Sequence, residues 1–338
     1  MRGPSGIEDW LRLSEAGLYC APGDFHVDPH RAVQKAVVTH GHADHARPGH
    51  RNVLATPETL AVMRQRYGAK AGCHHQPLQL GEVIDVNGVR MWLAPAGHVL
   101  GSAQVVLEWR GQRAVISGDY KRAADPTCAP FETVHCDLLV TEATFALPVF
   151  RHEPAELEIA KLLRSLAAFP ERTHLIGAYG LGKSQRLIRC LRDAGFDQTI
   201  WLHGALTGLC SLYQQLGIEL GRLEPATGAP REVLKGAIVL APPSAGKDRW
   251  ARRLTDPVVA FASGWMRVRG RARQSGVELP LVISDHADWD GLTDTITETG
   301  AGEVWVTHGR EDALVHWCQS KGIAARALSM VGREDEDA

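Results

Sequence analysis

Three histidines and an aspartate fall within six residues, His40-Gly41-His42-Ala43-Asp44-His45, directly after the apolar run Ala36-Val37-Val38. The run reads as a buried strand, and the polar stretch as the loop that leaves its end. Small residues at 41 and 43 let the flanking side chains splay to different sides of a compact turn. Imidazole nitrogen and carboxylate oxygen are donors that suit Zn²⁺ or Mn²⁺. A surface loop merely rich in histidine would need neither this spacing nor a strand before it, so the loop is expected to hold metal.

Other residues able to do chemistry occupy comparable places. Asp28 follows the short extended stretch Phe25-His26-Val27, and Pro29 stops it there. His98 lies in the loop Pro95–Ser102; Asp119 follows the strand expected over 113–117; Glu142 ends the apolar run from Asp137 to Thr141. Late in the chain His286 follows Leu281-Val282-Ile283-Ser284, and His308 follows Glu303–Thr307. Taken singly, Glu142 could be an ion-paired acid and His286 or His308 an ordinary turn histidine. In layered α/β architectures, however, strand ends converge on one edge of a sheet, so the set is expected to meet.

The elements that must position these residues are also readable. Thr56-Pro57 opens a helix through Tyr67, with a hydroxyl cap, proline in the first turn and Gly68 as the stop. Asn87-Gly88 predicts a hairpin turn between strands at 83–86 and 89–93, and a second hairpin crosses Gly111. Cys73-His74-His75 has no second ligand pair and is taken as loop. Between about 151 and 275 the rhythm changes to strand–helix–strand, which predicts a small parallel-sheet domain. Its first helix, 154–169, is expected to bury Leu157, Ala160, Leu163 and Ala167. The expected division is therefore 1–150, an insert at 151–275, a closing part at 276–330, and a disordered acidic tail at 331–338.

Composition narrows the setting. With 37 basic against 39 acidic residues in 338, any nucleic-acid footprint has to be local. No apolar run reaches the roughly 18 residues of a membrane span. The first ten residues lack the apolar core of a signal peptide, and the seven cysteines show no paired spacing. A cytoplasmic protein without membrane partners is expected.

The set His40, His42, Asp44, His45, His98 and Asp119 resembles the metal-binding signature of the metallo-β-lactamase fold. Glu142, His286, His308 and the inserted middle domain resemble the β-CASP branch of nucleases. Within that branch the chain is similar to the bacterial ligase-associated DNA exonucleases. The stretches that carry this are Phe25–Pro29, Pro95–His98, Ser117–Lys121, Thr141–Phe145 and Ser284–Trp289. The resemblance implies an α/β fold, an αββα metallo-β-lactamase sandwich with a β-CASP insert. It implies two divalent ions, Zn²⁺ or Mn²⁺: His40, His42 and His98 on one, Asp44, His45 and His308 on the other, Asp119 between them. Asp44 and Asp28 would count among the catalytic group, Asp28 by fixing the loop; Glu142 would orient His286, the proton donor. The substrate implied is DNA, in repair or end processing beside partners such as a DNA ligase. An RNA-processing nuclease of the same branch is the alternative, and a small-molecule metallohydrolase a more remote one.

Two stretches stand outside that site. Gly177-Ala178-Tyr179-Gly180-Leu181-Gly182-Lys183-Ser184 matches the Walker A pattern, yet no nearby strand ends in the acid a nucleotide hydrolase needs. Lys183 and Ser184 are expected either to hold a nucleic-acid phosphate at a helix N-terminus or simply to form a tight turn. Arg267, Arg269, Arg271 and Arg273 form the densest basic cluster, expected to contact backbone phosphates.

Overall fold

Neighbouring residues of the apolar runs face opposite ways, and that alternation builds the layers. A computed structural model describes residues 6–328, with 248, 249, 255 and 275 left out. The chain divides into two compact units, one up to Pro148 and from His286 onward, the other Val149–Asp285.

The first unit holds a six-stranded and a seven-stranded sheet. The smaller runs, in spatial order, Leu11–Ser14, Gly17–Cys20, Phe25–Val27, Lys35–Val37, Asn52–Ala55 and His74–Pro77. The larger runs Ala324–Ala327, Glu303–Gly309, Leu138–Ala143, Gln112–Ile116, Ala103–Trp109, Val89–Pro95 and Ile84–Val86. Val37 and Leu54 from one sheet share a core with Leu93, Val105, Leu107, Leu138, Val140 and Trp305 from the other. Their sequence neighbours Ala36, Val38, Val53 and Ala55 pack outward against Leu60 and Met63 of the helix Pro57–Tyr67. Val106, Val115, Leu139, Val304 and Val306 pack outward against the helices Trp289–Thr299 and Glu311–Ser320. The layers are thus helix, sheet, sheet, helices, each buried face set by the period of two in its strands.

Local signals explain the joints. Thr56 Oγ1 accepts from the Thr59 amide, and Gly68 closes that helix at φ 56°. Asn87 and Gly88 both have positive φ (54° and 84°), the conformation an Asn-Gly hairpin turn requires. Cys73-His74-His75 departs from the expected loop. His74–Pro77 is an edge strand paired in parallel with Asn52–Ala55.

The second unit is a parallel six-stranded sheet, ordered Leu223–Pro225, Ile200–Leu202, Ile238–Ala241, His174–Gly177, Val258–Ala262 and Leu279–Leu281. The last strand corrects the expected boundary at 276: it pairs with Val258–Ala262 in the insert's sheet, so the closing part begins at His286. Strand character is visible in a short apolar run; the sheet it joins is not. The helix Ala155–Ala168 buries Ile159 and Leu162, while Leu157 is 56% exposed, so the expected face is wrong by about one residue step. The expected tail at 331–338 lies outside the described residues.

Leu162→Ala should therefore cost about 2–5 kcal/mol and Leu157→Ala within about 0.5 kcal/mol, read from urea unfolding of the two variants.

Candidate metal centre

Within the first unit the expected ligands come together. His40 Nε2 and His98 Nε2 lie 3.1 and 3.0 Å from His42 Nδ1. Asp119 Oδ2 is 3.4 Å from His40 Nε2 and 3.9 Å from His98 Nε2. Donors around one tetrahedral zinc, each at roughly 2.0–2.1 Å, stand about 3.4 Å apart, which is this spacing. Beside them Asp44 Oδ2 lies 3.4 Å from His45 Nε2 and 3.8 Å from His308 Nε2, and the rings of His45 and His308 stack at 5.0 Å. Asp119 Oδ2 is also 3.3 Å from His45 Nε2, so one carboxylate faces both groups. All of these residues are buried. Asp44 Oδ1 and Asp119 Oδ1 have no hydrogen-bond partner among the described residues. Buried acceptors left open in this way fit a cation, and the mixed imidazole and carboxylate donors suit Zn²⁺ or Mn²⁺.

The backbone aims these groups by departing from strand geometry. Asp28 has φ 44° and His308 φ 61°, so each side chain leaves its strand end in a direction an extended residue cannot reach. Gly97, at φ 73°, comes so close to the 121 carbonyl that a Cβ would sit 2.3 Å from Lys121 O, which makes room for His98 to turn inward. At Gly309 a Cβ would sit 2.3 Å from Ala143 O, where the pairing of strands 138–143 and 303–309 shifts register beside His308.

A second layer of hydrogen bonds fixes the rings. Asp28 Oδ1 accepts from the Thr39 amide at 2.8 Å; its Oδ2 accepts from Thr39 Oγ1 and from His45 Nδ1, each at 2.7 Å. Thr39 Oγ1 lies 3.0 Å from His40 Nδ1 and accepts its proton, leaving Nε2 of that ring for the site. Thr39 is a site residue that sequence reasoning passed over; its signal was its place at the strand end directly before His40. Glu142 is buried, accepts from the Tyr120 amide through Oε1 at 2.8 Å, and holds His286 Nδ1 through Oε2 at 2.9 Å. The rings of His286 and His98 lie tilted at 54° to one another, 4.6 Å apart between centres.

The charges follow from burial and proximity. Burial pushes His40 well below its usual pKa, with the neighbouring His45 adding to it. Burial works the same way on His45, but Asp119, Asp44 and Asp28 outweigh it and raise that ring to about 10. Burial would raise Asp119, yet His45 beside it holds its carboxyl well below the usual range. Burial raises Glu142, opposed by His286.

The phosphate-binding expectation divides. Lys183 is buried in the second unit, its Nζ 3.1 Å from Asp285 Oδ1 and 4.8 Å from the centre of the Tyr179 ring. Ser184 Oγ donates to Tyr179 O at 2.6 Å, and the Gly182 amide donates to Gln185 Oε1 at 2.8 Å. These groups are spent inside the unit, which corrects the expected phosphate cradle at Lys183 and Ser184. Arg267, Arg269, Arg271 and Arg273 are all exposed, with Arg271 lying 4.1 Å over the buried Trp265 ring.

No family model matches the chain. A "Probable DNA ligase" of Opitutus terrae is 28% identical over 320 residues, 92% of this chain but 30% of that protein. "Endoribonuclease ysh1" of Aspergillus fumigatus is 34% identical over 132 residues, 36% of this chain and 15% of that protein. These similarities are in line with the metallo-β-lactamase and β-CASP resemblance of the sequence. The chain spans a third or less of the length of those relatives. It shares its fold with a protein of unknown function from Enterococcus faecalis V583, at TM-score 0.59 and 15% identity, over 88% of this chain and 80% of that one. No helix among the described residues is long and apolar enough to cross a membrane.

Because ligating imidazole must be neutral, loading the metal-free protein with Zn²⁺ should expel the His45 proton, and affinity should rise with pH up to about 10. Calorimetry in two buffers of different ionisation enthalpy measures that release. Asp28→Asn should weaken metal binding by about 10–100-fold, read by competition with a chromogenic chelator.

Proposed function

We propose that the chain is a metal-dependent phosphodiesterase that hydrolyses nucleic acid, with DNA ends as the favoured substrate. On this reading the first unit is a metallo-β-lactamase αββα core and the second its β-CASP insert. The observation that carries the proposal is the shared placement of Asp119 between two donor groups, with the Glu142–His286 pair beside them. His40, His42, His98 and Asp119 would hold one divalent ion, and Asp44, His45, His308 and Asp119 the other. Bound there, the ions would supply a polarised water for attack on phosphorus and neutralise the charge of the phosphoryl oxygens.

The chain's own groups do the rest. Attack forms a bond from water oxygen to phosphorus and breaks the bond to the 3′-oxygen, leaving a 5′-phosphate and a 3′-hydroxyl. The departing alkoxide needs a proton. With Nδ1 committed to Glu142, His286 carries that proton on Nε2. Glu142 holds the ring in the orientation for transfer and offsets its positive charge. Asp28 and Thr39 keep His45 and His40 turned to the ligand atoms. The exposed arginines at 267, 269 and 271 would contact backbone phosphates.

DNA is favoured because a relative that aligns over nearly the whole chain carries the name of a DNA ligase. An RNA substrate is the second reading, supported by the higher local identity to an endoribonuclease.

End-labelled DNA and RNA oligonucleotides of matched sequence test both. The chain with Zn²⁺ or Mn²⁺ should digest the DNA faster. Asp119→Ala should abolish turnover, and His286→Ala should lower kcat by about 10²–10⁴-fold. Full activity in Asp119→Ala would sink the proposal, and faster RNA digestion would transfer it to the second reading. Arg269→Ala should lower affinity and reduce the salt slope of binding by about one.

A further inference from the structure

The helix Pro57–Tyr67 supplies no candidate ligand, yet both of its ends hold loops that do. In its first turn Thr56 Oγ1 and Thr59 Oγ1 both donate to Gly101 O, at 2.6 and 2.9 Å. Gly101 has φ 82° and lies so close that a Cβ there would sit 2.7 Å from the Thr59 amide nitrogen. That carbonyl belongs to the His98 loop, which Ser102 closes by accepting from the amides of His98 and Val99 through Oγ, at 3.1 and 3.2 Å. In the last turn Arg66 Nη1 donates to Gly41 O at 2.7 Å, the carbonyl between His40 and His42. Thr59 and Arg66 are seven residues apart, which puts them on one face, two turns or about 10 Å from each other. Leu60 and Met63 between them share a core with Ala36 and Val38 of the run that leads into His40. The roots of the two loops are tied directly, since the Ala103 amide donates to Thr39 O at 2.9 Å.

We propose that this helix is a strut between the two loops: Thr59 and Arg66 are positioning residues that fix how far His98 stands from His40 and His42. The inference rests on the metal-dependent reading of the site, and every residue in it belongs to the first unit. An ion held by three imidazoles from two loops responds to displacement of one loop against the other. Keeping that displacement small before the ion arrives removes an ordering cost from binding. Freeing either loop restores most of that cost; once one is free, freeing the other adds little. The helix is capped by the Thr56 hydroxyl, so that of Thr59 can be removed with the cap in place.

The test is a cycle of Thr59→Val, Arg66→Met and the double variant, each as the full chain, read by metal binding rather than by turnover. Zn²⁺ affinity comes from competition with a chromogenic chelator, and ligand geometry from the visible absorption of the Co²⁺-loaded protein. Each single variant should weaken Zn²⁺ binding by about 10-fold or more and alter the Co²⁺ bands. The double variant should bind no more than about threefold more weakly than the poorer single one, whereas independent sites at this separation would give losses that multiply. Urea unfolding of the metal-free variants should by contrast be additive, which separates a strut for the site from a general weakening of the fold. Thr59→Ser and Arg66→Lys each return a donor and should recover part of the affinity and the original bands. Should Arg66→Met fail to fold, Thr59→Val against Thr59→Ser decides alone. Multiplying losses, unchanged affinity in the single variants, the same non-additivity in unfolding, or losses that the conservative variants do not recover overturn the inference. An unaltered chain that takes up neither Zn²⁺ nor Co²⁺ would instead overturn the metal-dependent reading.

Discussion

Three buried aspartates surround one buried histidine ring, and the first unit has to satisfy that charge. Asp28, Asp44 and Asp119 all lie against His45 with almost no water to hydrate them. A carboxylate removed from water costs several kcal/mol unless a cation or strong donors face it. The His45 imidazolium meets part of that demand, and the open oxygens of Asp44 and Asp119 mark what it leaves unmet. The packed sandwich is the frame that makes such crowding possible. Strands whose alternate residues are locked in cores on both sides cannot slip, so their ends present the donors at fixed separations.

Glu142 ties His286 to that crowd. One of its oxygens holds the amide of Tyr120, the residue after Asp119, and the other holds His286. A single buried carboxylate therefore registers His286 against the turn at Asp119, from the end of a strand that is buried on both faces. Its position in Leu138–Ala143, between two parallel neighbours, explains why it can be so rigid.

Much of this was legible in the residues. The loop at 40–45 announced itself through donor types packed at short range, and the helix at 57–67 through its cap, proline and glycine. His98, Asp119, Glu142, His286 and His308 could be gathered because each follows an apolar run. What escaped depended on partners remote in the chain. The run near 281 read as a strand, but nothing local says that it joins the insert's sheet. The helix at 155–168 carries apolar residues on two adjoining faces, so its pattern alone could not choose Ile159 and Leu162 over Leu157. The glycine-rich turn dictates a backbone shape. Whether its lysine looks outward to a phosphate or inward to Asp285 is decided by residues a hundred positions away.

Asp28 and His308 hold a left-handed backbone that glycine or asparagine would adopt with less strain. For a residue bearing a β-carbon that conformation costs on the order of 1–2 kcal/mol, in a chain whose whole margin of stability is of order ten. Glycine at 308 would thus relax the molecule while deleting the imidazole that faces Asp44. Ligand geometry and thermal robustness pull against each other at that residue, and an engineer seeking a sturdier form should look for gains on the far surfaces of the sheets instead.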